Sequence, residues 1–299
     1  MVKARSTSTD SEHRHVVPQS VDEIAFGYPR DFLTNKFVYV VISPRAGGLS
    51  IGVNVNPLHK CNLNCAYCEV DRDDRVIAAE FEIDRVAKEL RETLELARGG
   101  WLRQWPRYKN LPDDLLRVRH VALSGDGEPT LSGHFVDAVE VLLHARAEEG
   151  HFKIVVVTNS TALDRPHAQT GINLLKASDE VWAKLDGGTQ EYLNAVNGPS
   201  ASLERILSNI LAVGRRRPVI IQSLFPGING EPPSKQEISE YARRLKELKQ
   251  RGAEISLVQI YSATRPMARD TRCGHLPLKD LSQIARTVRQ IAGLRAEVF

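Results

Sequence analysis

The chain has 299 residues, of which 42% are hydrophobic and 26% charged, so it can bury a core and is neither disordered nor fibrous. Forty Lys and Arg against 37 Asp and Glu leave a net charge of +3, too slight an excess to announce a nucleic-acid or membrane partner. No apolar run is long enough for a membrane span and the first residues lack the apolar core of a secretory signal, which predicts a cytoplasmic protein. Four Cys in so long a chain, three of them within eight positions, predict reduced thiols that serve a metal or a reaction rather than a disulfide framework.

Residues 1–20 are polar and aperiodic and predict a flexible tail, with His13 and His15 read as solvated; residues 21–299 are read as one domain. Beyond the tail, short β-branched runs alternate with amphipathic stretches. Val38–Ile42, Ile51–Asn56, His120–Ser124, Lys153–Thr158, Glu180–Leu185, Val219–Leu224, Glu254–Tyr261 and Arg295–Phe299 read as strands. Between them, Ile83, Val86, Leu90, Leu94 and Ala97 form one helical stripe, and others run through Phe135–Leu143, Leu203–Val213 and Leu281–Ile291. Ser234 and Glu237 read as a capping box ahead of Ile238, Tyr241, Leu245 and Leu248. Strands followed by helices require right-handed crossovers and a parallel sheet covered on both faces. The repetition predicts a partial (β/α)6-type TIM barrel, with a doubly wound open sheet as the other α/β arrangement. In both, ligands bind where the strands end.

The segment after Ile51–Asn56 carries Cys61, Cys65 and Cys68, spaced C-x3-C-x2-C. Zinc usually takes four protein ligands, and the fourth here would be His59 or Cys273; three thiolates on one loop also suit an iron–sulfur cube with one iron left open. Cys61-x3-Cys65-x-Tyr67-Cys68 after an early strand resembles the signature of the radical S-adenosylmethionine superfamily. That resemblance implies that the three Cys hold a 4Fe-4S cluster, that its open iron binds the methionine part of S-adenosylmethionine, and that Tyr67 packs near the adenine.

Further stretches support the resemblance. His120–Ser124 runs into Gly125, Asp126, Gly127 and Glu128, followed by Pro129 and Thr130, where glycines let the backbone approach a ligand. It is similar to the superfamily's Gly-Gly-Glu region, which implies that these four residues hold the methionine amino group. Thr158 and Asn159 end the next strand, a position that contacts ribose or methionine in many members. Lys184 and Asp186 are charges flanking Leu185 in a strand expected to be buried, and they read equally as cofactor contacts or as a structural ion pair. Gln222 is a buried polar group that needs a partner. The sequence around the cysteines, Ser124–Leu131 and the closing Leu276–Phe299 is similar to the wyosine-synthase-like group.

Membership implies reductive cleavage of S-adenosylmethionine to a 5′-deoxyadenosyl radical that abstracts hydrogen from a substrate, with a flavodoxin- or ferredoxin-type protein as electron donor. With no Cys before Cys61 and one left over, a second cluster and methylthiolation are not expected, and the chain before the first strand is too short for a cobalamin domain. An RNA base, a peptide side chain or a small molecule each fit as substrate. The other readings are a glycyl-radical-type activating enzyme acting on a partner protein and a zinc-stabilised RNA-binding module without catalysis. Cys273, in a loop with Arg265, Arg269 and Arg272, reads as an idle surface thiol or as a hydrogen donor with arginines for an anionic substrate. Trp101, Trp105 and Tyr108, interleaved with Arg103, Arg107 and Lys109, read as anchors of a long link, the other reading being a base-stacking surface. Arg215, Arg216 and Arg217 read as a solvated helix end.

Overall fold

The computed structural model describes residues 32–56, 60–70, 81–198, 200–263 and 272–299. The tail with His13 and His15, and also His59, Arg265 and Arg269, lie outside the described residues. In chain order the elements are β1 (Val38–Ser43), β2 (Gly48–Val53), α1 (Ile83–Arg98), α2 (Pro106–Lys109), α3 (Asp113–Leu116), β3 (Val118–Leu123), α4 (Phe135–Glu149) and β4 (Lys153–Thr158). Then follow α5 (Pro166–Leu174), β5 (Glu180–Lys184), α6 (Gln190–Asn197), α7 (Leu203–Gly214), β6 (Val219–Leu224), β7 (Gly227–Ile228) and α8 (Lys235–Gln250). The chain closes with β8 (Ile255–Tyr261), β9 (Cys273–Gly274), α9 (Leu278–Ala292) and β10 (Ala296–Val298).

One sheet runs in the order β1-β2-β3-β4-β5-β6-β8-β10, and a two-stranded ribbon pairs β7 with β9. From β2 onward the large sheet is parallel, and it curls into the half-barrel that the repetition predicts. The first pair departs from the all-parallel expectation: β1 and β2 are antiparallel, because the four residues Pro44–Gly47 between them make a tight turn and cannot carry a crossover.

Strand periodicity sorts the side chains into two layers. Ile51, Val53, Val121, Leu123, Ile154, Val156, Val181, Ile221, Val258 and Ile260 face the helices and form the main core. Val86, Leu90 and Leu94 of α1 meet them there, as do Tyr241 and Leu245 of α8 and Ile284 and Val288 of α9. Ile83 departs from the expected stripe and is 41% exposed, since it opens α1 at the rim of the layer. The opposite, inner face holds a smaller apolar belt of Ala122, Val155, Trp182 and Ile220, with Val157 and Leu257 against it. Above and below that belt the inner face turns polar, and the polar upper end is where the strands stop.

The Ser234 side chain accepts from the Glu237 N–H, as a capping box requires, but the Glu237 carboxylate accepts from the N–H of Gly188 and the hydroxyl of Thr189, both 2.5 Å away, instead of returning to Ser234. It therefore joins α8 to the start of α6. Arg217 corrects the reading of Arg215–Arg217 as a solvated end. Its guanidinium donates to the carbonyls of Ile172, Leu175, Lys176 and Asp179 and locks the end of α5 to β5, while Arg215 and Arg216 stay exposed. In the long link Trp105 and Tyr108 are buried anchors, and Trp101 is 53% exposed.

Candidate active site

The cysteine loop leaves β2 earlier than the alternation of Val53–Asn56 suggests. Asn54 and Asn56 turn out of the sheet because their amides are needed elsewhere: Asn54 Nδ2 donates to Asp126, and Asn56 Nδ2 to the Glu128 carbonyl. The loop then docks on the end of α6, whose last carbonyls lack helical partners. Asn64 N–H donates to the Asn197 carbonyl at 3.0 Å and Ala66 N–H to the Val196 carbonyl at 2.8 Å. Leu63 is buried in the core beneath.

Two amides point at the thiols. Asn197 Nδ2 lies 3.2 Å from Cys65 Sγ, and Asn159 Nδ2 lies 3.7 Å from Cys61 Sγ. Burial, with the Asp186 charge adding to it, pushes the Cys65 thiol up to about 12, so a bound cation is needed for it to exist as thiolate at neutral pH. Among the described residues no three His, Cys, Asp or Glu side chains close on one point. The fit to an iron–sulfur cluster therefore rests on the donor set: three soft thiols on one loop, with two N–H groups aimed at sulfur.

The turn after β3 packs directly against this loop. Glu128 N–H donates to the Lys60 carbonyl at 3.0 Å, and a Cβ on Gly127 would run into that same carbonyl. Gly125, at φ +141°, would bring a Cβ to 2.7 Å from the Asn54 side chain, so both glycines are required by close approach. The Glu128 carboxylate is fully buried and already occupied. It accepts from Thr130 N–H at 3.1 Å, the Thr130 hydroxyl at 2.6 Å, the Thr158 hydroxyl at 2.7 Å and the Asn159 N–H. Burial raises its carboxyl, and these hydrogen bonds oppose the rise. Thr158 and Asn159 are thus tied to Glu128 through hydroxyl and backbone, leaving the Asn159 amide for Cys61 and Asn62.

Lys184 and Asp186 are an ion pair at 3.4 Å inside a larger network. Asp186 also accepts from the Tyr67 hydroxyl, from Asn197 Nδ2 at 2.9 Å and from Leu224 N–H at 2.9 Å. Lys184 donates to the Tyr261 hydroxyl at 3.1 Å and lies 4.9 Å from the centre of the Tyr67 ring. Burial alone would lower Lys184, but the Asp186 carboxylate outweighs it and the ammonium is held above its ordinary value. Burial and the same carboxylate hold the Tyr67 phenol protonated. Gln222 finds the partner expected for it, Gln259 on β8, at 3.4 Å.

The structure thus brings Cys61, Cys65, Tyr67, Gly125, Asp126, Gly127, Glu128, Thr158, Asn159, Lys184 and Asp186 to one end of the sheet, with Cys68 on the same loop. Cys273 is not on an open surface loop: it is 7% exposed in β9, paired with Ile228. Asn54, Asn197 and Tyr261 join the site without a signal in the sequence.

The model of the Radical SAM superfamily matches residues 55–242. The UPF0026 protein slr1464 of Synechocystis sp. is 26% identical over 176 residues, which are 58% of this chain and 57% of that protein, so the match spans little more than half of the curated relative. Among solved structures, TYW1 with a lysine-pyruvate adduct bound superposes with a TM-score of 0.52 at 15% identity, over 85% of this chain and 84% of that one. A spore photoproduct lyase superposes with a TM-score of 0.54 at 11% identity, over 87% and 79%.

Proposed function

This chain belongs to the radical SAM superfamily, an iron–sulfur enzyme family whose members use a 4Fe-4S cluster and S-adenosylmethionine, and from that membership we propose how its own residues divide the work. Cys61, Cys65 and Cys68 hold the cluster. When bound, the cluster and cofactor supply the electron and the 5′-deoxyadenosyl radical that removes hydrogen from a substrate. A flavodoxin- or ferredoxin-type protein delivers the electron. The substrate lies on the inner face of the half-barrel, below the strand ends.

The observation that carries this reading is the seating of the cysteine loop on the Gly125–Glu128 turn, with Glu128 N–H on the Lys60 carbonyl and amides from β4 and α6 on two of the thiols. In this reading Gly125 and Gly127 give the methionine part of the cofactor access to backbone, with Asp126, held by Asn54, as the carboxylate for its amino group. Glu128 clamps the ends of β3 and β4 together, its Oε1 accepting from Thr130 and Thr158 and its Oε2 from the Asn159 N–H, and its Oε2 retains an acceptor position on the cofactor side. Tyr67 is fixed by Asp186 and Asn197 so that its ring presents one face to the adenine. Thr158, Lys184, Asp186 and Gln222 line the same end, and Cys273 is the candidate for returning hydrogen to a substrate radical.

Anaerobic reconstitution with iron and sulfide, reduction and addition of S-adenosylmethionine test the proposal. The expected result is a brown protein whose paramagnetic spectrum changes with the cofactor and which releases 5′-deoxyadenosine, with iron and product both lost in Cys65→Ala. A colourless protein that binds zinc and leaves the cofactor intact overturns it.

A further inference from the structure

The inner face carries a cation for which the described residues supply no counter-charge. Lys153 meets Glu180 at 2.5 Å and Lys184 meets Asp186 at 3.4 Å. Arg45, on the turn between β1 and β2, forms no ion pair with a described residue. Its guanidinium lies 4.1 Å from the centre of the Tyr261 ring, and its Nε is buried without a hydrogen-bond partner. Arg45 is half-buried, and a buried guanidinium N–H left without an acceptor is unfavourable unless something else completes it.

The ring beneath Arg45 is itself fixed. Tyr261 accepts from Lys184, and Lys184 belongs to the network that runs through Asp186 to Tyr67, Asn197 and Cys65. Stacking on an aromatic face leaves the N–H groups in the guanidinium plane free, and that fork matches the two oxygens of a carboxylate or phosphate. Register places more polar groups on the same face: Lys184 pairs with Gln222, Gln222 with Gln259, and Tyr261 follows Gln259 by two. The two glutamine amides share a single 3.4 Å hydrogen bond and so retain donor and acceptor capacity.

We infer that Arg45, stacked on Tyr261, is the residue that reads the substrate, and that the group it reads is the carboxylate or phosphate of a small anionic molecule. This rests on the radical reading only in making the inner face the reaction chamber. The anion neutralises Arg45, the glutamine amides receive its polar remainder, and the apolar belt around Trp182 and Ile220 lies on the same inner face.

Calorimetric titration of the reconstituted full chain with succinate and, separately, with ribose 5-phosphate tests the inference without turnover. One charged group held by one fork corresponds to binding in the range of about 1 mM. Arg45→Met is expected to weaken binding by about tenfold or more, and Arg45→Lys, which keeps the charge and loses the fork, by less. Arg205→Met, at a guanidinium paired with Asp164 on the exposed surface, serves as the control and binds like the parent. Binding of succinate alone assigns a carboxylate, and of ribose 5-phosphate alone a phosphate. If neither anion binds the parent, or if Arg45→Met binds both as the parent does, the inference falls. Should Arg45→Met not fold, as judged by its thermal midpoint and iron content, Arg45→Lys carries the comparison. The two readings fail separately: deoxyadenosine release without anion binding removes only the role of Arg45, and a chain that binds anions through Arg45 but never cleaves the cofactor removes only the radical chemistry.

Discussion

Asn197 closes α6 and directs one amide nitrogen at three acceptors: Cys65 Sγ at 3.2 Å, the Tyr67 hydroxyl at 3.1 Å and Asp186 Oδ2 at 2.9 Å. With Cys65 as a ligand of the proposed cluster, an N–H aimed at its sulfur favours the more negative, reduced state and so raises the reduction potential. Removing it in Asn197→Ala is worth on the order of 1 kcal/mol, which for one electron is a fall of roughly 40 mV. A redox titration followed by electron paramagnetic resonance on parent and variant checks this, and an unchanged potential at full iron content shows that the amide is not felt at the cluster. The three thiols were legible in the sequence because their spacing on one loop is a covalent fact. Lys184 and Asp186 were legible because charges are out of place in a buried strand. Asn197 was not, since it stands 132 residues from the sulfur it meets, and an Asn at a helix end ordinarily signifies only a terminus. Arg45 and Tyr261 escaped for the same reason, as their meaning arises only when the sheet curls.

Among the elements, the start of β5 shows how the half-barrel is tied at its lower end. Asp179 receives a forked pair from Arg146 of α4 at 2.6 and 3.2 Å, the Ile154 N–H of β4 at 2.9 Å and the Lys176 N–H at 2.8 Å, with both side chains of the ion pair buried. Removing one member of a buried, hydrogen-bonded pair leaves the other charge uncompensated and costs about 3–5 kcal/mol. Asp179→Ala is therefore expected to lower the melting temperature by on the order of 10 °C. Thermal unfolding followed by circular dichroism measures it, and a shift within a degree or two means that Arg146 finds water instead. Element type followed from periodicity for the strands of the large sheet, because the parallel strands of its middle, such as β4 and β6, are β-branched runs buried on both faces. The nine-residue α5 and eight-residue α6 were not seen, as two turns are too few to show a stripe. β2 stops at Val53, short of the alternation that Val53-Asn54-Val55-Asn56 continues, because those asparagines serve the turn after β3.

Over the whole molecule, the lower inner face couples stability to pH through one side chain. His120 is 4% exposed, its Nε2 lies 2.8 Å from the Ser50 hydroxyl, and its ring stands edge-on to Trp182 at 5.3 Å. Burial, with the Lys153 and Arg45 cations adding to it, pulls it from its ordinary 6.5 down to about 4. Glu180, the remaining charge on this patch, is held by Lys153 and by the Trp182 N–H. Between those two values the unfolded chain binds a proton that the folded chain refuses, so unfolding becomes easier as the pH falls. The stability His120 permits is complete above pH 6.5 and is lost progressively as the pH approaches 4, a difference of roughly 3 kcal/mol over the window. His120→Gln keeps a polar partner for Ser50 and does not titrate. Urea unfolding at a series of pH values across the window is expected to show a shallower loss of stability in the variant than in the parent. Parallel curves throughout would mean that the half-barrel opens enough to hydrate the imidazole before the rest of the fold gives way, which would place the lower inner face among the first parts of the molecule to yield in acid.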